Sequence, residues 1–560
     1  MRAADLFVRC LENEGVEVVF GVPGEENLDL LDALSDSPIR FVPTRHEQGA
    51  AFMADVHGRL TGRAGVCLST LGPGSTNLVT GVADATMDGA PLVAISGQAS
   101  TARVHKQSHQ VIDLVRMFEP ITKYGARVRA AKTIPEIVRK AFKVAQTETP
   151  GACFIELPED VAAVEIQGLS PLKRQSPLSP IAPPEKITEA ARVISEAKWP
   201  LILAGHGVIR AGASADLVRF AETLNIPVAT TFMAKGVIPF SHPLSVGAVG
   251  LKTRDYASTA FEAADLIVCV GFDMVEYRPY LWHKGISAKL IHIHAMPAEV
   301  DEDYILEVGV LGRIGWSLEA IAAEATPHSR SHGPELHAAL LAEMAHFAGD
   351  EAFPLKPQRI LSDLRRALDP DDLVISDVGA HKVWVARMYS AERPNTCLMS
   401  NGLAAMGIAV PGALAAKMLF PERKVVAVTG DGGFMFNSQE LETAVRERTP
   451  YIVLIWNDSG YGLIEWKQLA QLGRTFGVRF TNPDLVEYAR SFGARGYRVT
   501  AAGDLLPILR RALEDPVVSV IDCPVDYSEN LIQVEHLGGN VYEDGGEAFS
   551  PWPGPSAFST

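Results

Sequence analysis

The sequence predicts an α/β protein of three doubly wound domains with mainly parallel sheets. Short apolar, β-branched runs alternate with longer helical patterns along the whole chain, the pattern of parallel sheets covered on both faces. The 560 residues, 47% of them hydrophobic, suffice for about three domains of roughly 150–200 residues each. Two compositional breaks divide them: Gln167 to Lys186, rich in Pro and Ser, and Ala325 to Glu335, polar with Gly and Pro, both of which read as linkers.

The first unit, 1–168, opens with an amphipathic helix that puts Leu6, Cys10 and Leu11 on one face. Candidate strands follow in EVVF, RFVPT, GVCLST, LVAIS and CFIEL. The central unit, 187–330, offers LILAG, PVATT, LIVCVG and LIHIH. The third, 350–530, offers LVISDVG, VVAVTGDG, YIVLIWND and VVSVIDCPV. A Gly/Pro-rich tail with scattered aromatics, 531–560, reads either as disordered or as a flap over another surface.

Composition excludes several classes of protein. The 51 basic and 67 acidic residues leave a net charge of -16 and no Lys/Arg run that could track phosphates, so no nucleic-acid partner is expected. Cys10, Cys67, Cys153, Cys269, Cys397 and Cys523 lie far apart, without a CxxC pair, and read as buried free thiols in a reducing compartment. The first residues lack the apolar core and cleavage site of a signal peptide, and no segment reaches the roughly 18 apolar residues of a membrane span. A soluble, cytoplasmic protein with no membrane partner is the expectation.

GDGGFMFNSQELETAV, from Gly430 to Val445, carries the chemistry. In doubly wound folds ligands bind beyond the carboxyl ends of strands, and Asp431 follows the run VVAVT at such an end. Gly430, Gly432 and Gly433 let a bulky ligand approach the backbone. Asn437 and Glu440 read as a capping box for the helix that follows, whose N-terminal dipole favours an anion such as a phosphate. A carboxylate at an anion site repels its ligand unless a cation lies between them. Magnesium fits, because it is held by one or two carboxylates, carbonyl oxygens and the phosphate itself. The next strand ends in Asn457, Asp458 and the carbonyls around Gly460, so two adjacent strand ends can share one metal.

The order strand, GDG, helix, strand, then Asn457-Asp458 after a 24-residue gap resembles the diphosphate and magnesium motif of thiamine-diphosphate-dependent enzymes. Most of that family carries Asn-Asn at the second element, whereas Asn-Asp is the form found in fermentative acetolactate synthases. The resemblance runs from about Ala3 to Tyr527 and implies pyrimidine-binding, central and diphosphate-binding domains in that order. It implies thiamine diphosphate and Mg2+, with Asp431, Asp458 and Gly460 holding the metal. Val378, Gly379, Ala380 and His381 of DVGAHKVW would lie along the diphosphate, and Tyr461, Gly462 and Leu463 would complete that end. In LMSNGLAAMG, Met406 would be pushed between the two rings and the carbonyl of Ala404 would hold the amino group of the pyrimidine. At the other end RHEQ supplies Glu47 as the activating glutamate. GVPGEEN (Pro23, Gly24) and GPGSTN (Pro73, Asn77) supply loops that pass close to a flat ring. In this family the two ends come from different subunits, which implies a homodimer or homotetramer with active sites at the interface.

The implied reaction is that of an acetolactate synthase, joining two pyruvates with loss of CO2. Another thiamine-dependent 2-oxo acid decarboxylase or carboligase, or a pyruvate oxidase, is the alternative. The stretch Phe272 to Gly285 is similar to the flavin-free fermentative enzymes, so FAD is not expected. The stretch His105 to Tyr124 is similar to the same branch and implies that His109 and Gln110 lie near the substrate, with Phe118 in its apolar wall. Lys467 departs from the pattern, standing where fermentative enzymes have glutamine and biosynthetic ones tryptophan. It either remains a solvated surface lysine or turns inward to hold an acceptor carboxylate.

Overall fold

The computed structural model describes residues 1–174, 179–249, 256–283, 285–345 and 348–530; the tail expected over 531–560 lies outside the described residues. Three six-stranded sheets, parallel throughout, are arranged one after another along the chain. The first contains β1 (Val18–Gly21), β2 (Arg40–Pro43), β3 (Gly65–Ser69), β4 (Leu92–Gln98), β5 (Tyr124–Arg127) and β6 (Ala152–Pro158), in the order β2-β1-β3-β4-β6-β5. The second contains β7 (Pro200–Ala204), β8 (Val228–Thr230), β9 (Ser245–Ala248), β10 (Leu266–Val270), β11 (Lys289–His294) and β12 (Val308–Leu311), in the order β12-β11-β10-β7-β8-β9. The third contains β13 (Leu373–Ser376), β14 (Cys397–Met399), β15 (Val425–Gly430), β16 (Ile452–Asn457), β17 (Arg495–Arg498) and β18 (Ser519–Pro524), in the order β14-β13-β15-β16-β18-β17.

The first and third sheets therefore share one topology, and the central sheet has the strand order of a dinucleotide-binding fold. Central strands are buried from end to end, as a sheet covered on both faces requires: every residue of β4 and β6 is buried. In sheets of this kind the strand order reverses at one point, and the crevice there is the natural ligand site. It falls between β1 and β3 in the first sheet and between β13 and β15 in the third. The loops at those points are 21–27 and 69–77 in the first, and 377–381 and 430–433 in the third.

The first and third sheets also share a hydrophobic core within the chain. The helix Glu47–Thr61 lies against the helix Ala409–Leu419, both rich in alanine, so their backbones approach closely. A methyl on Gly412 would lie 2.8 Å from a methyl of Val56. Closer still is Gly65 at the start of β3, where a Cβ would stand 2.0 Å from the carbonyl oxygen of Ala54. Overpacking against backbone has no flexible side chain to relieve it. Gly65→Ala is expected to destabilise the fold by about 1–3 kcal/mol, seen as an earlier denaturant midpoint; an unchanged midpoint contradicts this packing.

Several sequence expectations need correction. The helices start earlier than the linkers suggested, at Pro184 and at Gly333. The helix expected after the GDG motif is two short helices, Asp431–Asn437 and Glu440–Arg446. Asn437 and Glu440 form no capping box. The Asn437 amide donates to the Gly407 carbonyl at 2.8 Å, and the Glu440 carboxylate serves the first domain instead.

Candidate active site

Glu47 is the first residue of its helix, largely buried, and its Oε2 accepts a hydrogen bond from Asn77 Nδ2 at 2.9 Å. A methyl on Gly74 would lie 3.2 Å from the other carboxylate oxygen, so the GPGSTN loop closes directly on Glu47. The chain that leads into Glu47 is held from the third domain. Glu440, fully buried, accepts the backbone N–H of Arg45 at 3.1 Å and of His46 at 3.0 Å. Burial raises its pKa, while Thr443 and these two amides favour the ionised form. No local signal in the sequence points to this contact, since its partners lie some 395 positions apart. Beside the same loop, Pro23 is exposed and Gly24 sits against Thr70, where a Cβ would come within 2.3 Å of the threonine side chain. Pro23, Gly24, Glu47, Pro73 and Asn77 follow β1, β2 and β3 at the carboxyl end of the first sheet.

The second group gathers at the ends of β13, β15 and β16. Asp431 is buried; its carboxylate accepts the N–H of Gly432 at 2.9 Å, the N–H of Ser459 at 2.7 Å and the amide of Asn482 at 2.7 Å. Asn482 also donates to Asn457 Oδ1 at 3.1 Å. Asn482 was not foreseen from the sequence; it stands in the turn TNPD, whose Asn and Pro mark a loop but not its destination. Burial raises the Asp431 pKa. Burial and the charge of Asp431 together push Asp458 up to about 7. Two carboxylates this close in a desolvated place are the arrangement that a cation relieves. Among the described residues no three His, Cys, Asp or Glu side chains form a metal cluster; a cation between these two acids would need backbone or ligand oxygens as well. Gly460 is buried beside the pair, and a Cβ on Gly462 would lie 2.7 Å from Asp458 Oδ2.

Facing this pair is His381, in the helix Ala380–Met388 that follows Val378 and Gly379. Burial pushes its pKa down to about 3, so the ring is neutral. Its Nε2 and the nearby Trp456 Nε1 are buried and find no hydrogen-bond partner among the described residues. Buried unpaired polar atoms are costly, and a bound polar ligand would supply the missing partners. The cradle is tight: a Cβ on Gly430 would stand 3.2 Å from His381 Nδ1, on Gly432 2.9 Å from the Tyr461 ring, and on Gly433 2.9 Å from Asp377 Oδ1. The residues present therefore fit a metal-bound diphosphate.

Between the two groups lies the loop 400–407. Ala404 is exposed with φ 55, a left-handed conformation that a non-glycine residue adopts only when its surroundings enforce it. Met406 is half-buried and Leu463 likewise. The substrate-side residues are less converged. His109 and Gln110 are both exposed; Gln110 also has a positive φ, 59, and its carbonyl would crowd a Cβ on Gly72 at 2.6 Å. Phe118 is buried in the core of the first domain, stacked on Phe154 at 4.1 Å. Lys467 is solvent-exposed on the helix Gly462–Leu472, beside the buried Trp466. Among the described residues no hydrogen bond joins the Glu47 group to the Asp431 group.

Two domains with crevices of like topology, one ending in a buried glutamate and the other in a carboxylate pair over a glycine cradle, place this chain among the multidomain α/β enzymes that bind a ligand at the carboxyl ends of their sheets. The family models agree domain by domain: thiamine pyrophosphate enzyme N-terminal TPP binding domain over residues 1–117, central domain over 187–321 and C-terminal TPP binding domain over 377–523. The chain belongs to the thiamine pyrophosphate enzyme family. Its relatives include the acetolactate synthase of Bacillus subtilis, 36% identical over 541 residues, with 95% of this chain and 94% of the relative covered. The catabolic acetolactate synthase of Raoultella terrigena is 36% identical over 547 residues, covering 95% and 97%. A probable acetolactate synthase large subunit of Methanocaldococcus jannaschii is 35% identical over 560 residues, covering 95% and 93%.

Proposed function

We propose that this chain is an acetolactate synthase that uses thiamine diphosphate and Mg2+ to join two pyruvates with release of CO2. The observation that carries the reading is the buried Asp431–Asp458 pair over its glycine cradle, in a chain aligned nearly end to end with acetolactate synthases. When bound, thiamine diphosphate supplies the carbon nucleophile and the electron sink. The protein supplies the rest. Asp431, Asp458 and the Gly460 carbonyl would hold the metal, and Val378 to His381 with Gly430, Gly432 and Gly433 would follow the diphosphate. Tyr461, Gly462 and Leu463 close that end. Ala404 and Met406 support the rings, and Glu47 holds a proton at the pyrimidine with Asn77 fixing its orientation. Pro23, Gly24 and Pro73 line the ring. His109, Gln110 and Lys467 belong to the substrate end.

The limits 1–168, 187–330 and 350–530 are our reading of the three domains. The central one works without FAD. Beyond β7, where a dinucleotide-binding fold offers its first loop N–H to a pyrophosphate, the His206 N–H is already bonded at 3.0 Å to the carboxylate of Glu276. A second copy of the chain completes the site in a homodimer or homotetramer. In support, Met435, Phe436, Ile464, Leu472 and Phe476 are exposed on helices and loops around the metal pair, Phe476 to 88%. The six free cysteines, all buried, accord with a reducing cytoplasm, and no helix among the described residues is long and apolar enough to cross a membrane.

Incubation with pyruvate, thiamine diphosphate and magnesium tests the reading. The expected main product is 2-acetolactate, assayed as acetoin after acid, from a protein without flavin absorbance. Acetaldehyde as the main product points to a decarboxylase, and acetyl phosphate with flavin absorbance to an oxidase; either outcome replaces the proposal.

A further inference from the structure

The strained Ala404 is bracketed by two buried carboxylates from opposite sides, and neither is accounted for by the roles assigned above. On its N-terminal side, Asp88 accepts the backbone N–H of Asn401 at 3.0 Å and also that of Gly402. Asp88 stands at the C-terminal end of the helix Pro73–Met87, whose other end carries Pro73 and Asn77. Arg59, buried, fixes it: one guanidinium nitrogen lies 2.8 Å from Asp88 and 2.9 Å from Asp84, Nε lies 2.7 Å from Asp55, and Nη1 donates to the Met399 carbonyl at 3.0 Å. Ser400 Oγ donates to Asp84 at 2.5 Å and accepts the N–H of Ala405 at 2.9 Å. On the C-terminal side, Asp377, also buried, accepts the N–H of Gly407 at 2.9 Å and of Ala409 at 3.1 Å. The Asn401 side chain is pinned as well, accepting from Lys382 Nζ at 3.0 Å and donating to the Glu276 carbonyl at 2.9 Å.

A peptide held at amides 401, 402, 405, 407 and 409 has little freedom left at 403 and 404. Strain of this kind persists only where neighbours over-determine it, at about 1–3 kcal/mol for a non-glycine residue in the left-handed region. We infer that Asp88, fixed by Arg59, is a positioning residue: it clamps the Asn401–Gly402 amides so that Ala404 stays in its strained conformation with its peptide groups in one orientation toward the cofactor. The inference rests on the proposed role of Ala404 in holding the pyrimidine. Because Arg59 ends the helix that Glu47 begins, the same two helices carry the proton-handling pair at one end and the loop clamp at the other.

Three variants test it. Gly402→Ala leaves Asp88 and Arg59 intact but puts a methyl 2.7 Å from the Met87 carbonyl and 2.8 Å from Asp88, lifting the loop. Ala404→Gly removes the penalty on φ and leaves every clamp hydrogen bond in place, so it serves as the control. Asp88→Asn keeps the shape and one acceptor but weakens the hold on Arg59. For Gly402→Ala and Asp88→Asn the expected result is a kcat for pyruvate consumption lowered roughly 10- to 100-fold, the loss that a displacement of about 1 Å brings, whereas Ala404→Gly, which keeps the clamp and favours the same φ, stays within a few-fold of wild type. In the two clamp variants the circular-dichroism band of bound thiamine diphosphate changes as well, while the KM for pyruvate moves little. In the cofactor-free protein, hydrogen exchange in the 399–409 peptide speeds up in Gly402→Ala and Asp88→Asn, a readout independent of turnover. If Gly402→Ala and Asp88→Asn keep wild-type kcat and the wild-type band, the clamp does no positioning and the inference falls. A wild type that binds no thiamine diphosphate overturns the proposed function along with it, so the two failures are distinct.

Discussion

Glu47→Gln is expected to lower pyruvate consumption by roughly 10²–10⁴-fold, the range that a positioned acid–base group contributes, with magnesium-dependent binding of thiamine diphosphate kept within a few-fold. Glutamine has the size of glutamate, and its carbonyl oxygen can still accept the Asn77 amide at the 2.9 Å contact, so the fold and the closed GPGSTN loop survive. What disappears is a carboxylate able to exchange a proton with the ring. The measurement is kcat at saturating cofactor, with calorimetric binding of the cofactor alongside. A variant as active as wild type means that Glu47 is only the acidic first residue of a helix, the ordinary use of such a residue.

The two crevices were legible because their chemistry is local in sequence. Glycines, an acid and a following helix occur together wherever a strand end meets a ligand, and the loops 21–27, 69–77, 377–381 and 430–433 all stand at the points where the strand order of their sheets reverses. The strands that were not foreseen, β5, β9, β12, β14 and β17, all lie at sheet edges. They are three or four residues long, and β5 and β17 carry no fully buried residue. A short edge strand has neither the continuous apolar run of a central strand nor a clean alternation. Glu440 was misread for a related reason. Its spacing from Asn437 fits a capping box, but the two amides before Glu47 also need an acceptor, and a buried acceptor brought across by the fold satisfies them. Asn482 and Asp88 escaped likewise, since their partners are 51 and about 313 positions away.

The metal pair gives the second large effect. Asp431→Asn is expected to weaken apparent magnesium affinity at least about 100-fold, as loss of a charged ligand should exceed the 10–100-fold cost of an outer-sphere change; the cofactor is then lost on desalting. Asp458 behaves differently, because without metal its carboxyl is pushed up to about 7, first by burial and then by Asp431. Magnesium and a proton therefore compete for it. Above pH 7 the site is ionised and affinity is level; below it, each pH unit should weaken binding about tenfold, since one proton must leave before the metal enters. Asp458→Asn removes the titrating group and keeps an oxygen ligand, the arrangement that Asn-Asn relatives use. Its affinity should be lower than wild type at pH 8 but flat from pH 6 to 8. Equilibrium dialysis with magnesium across that range separates the cases, and a wild-type affinity that ignores pH, or an Asp431→Asn protein that retains cofactor, means that the pair does not share a metal.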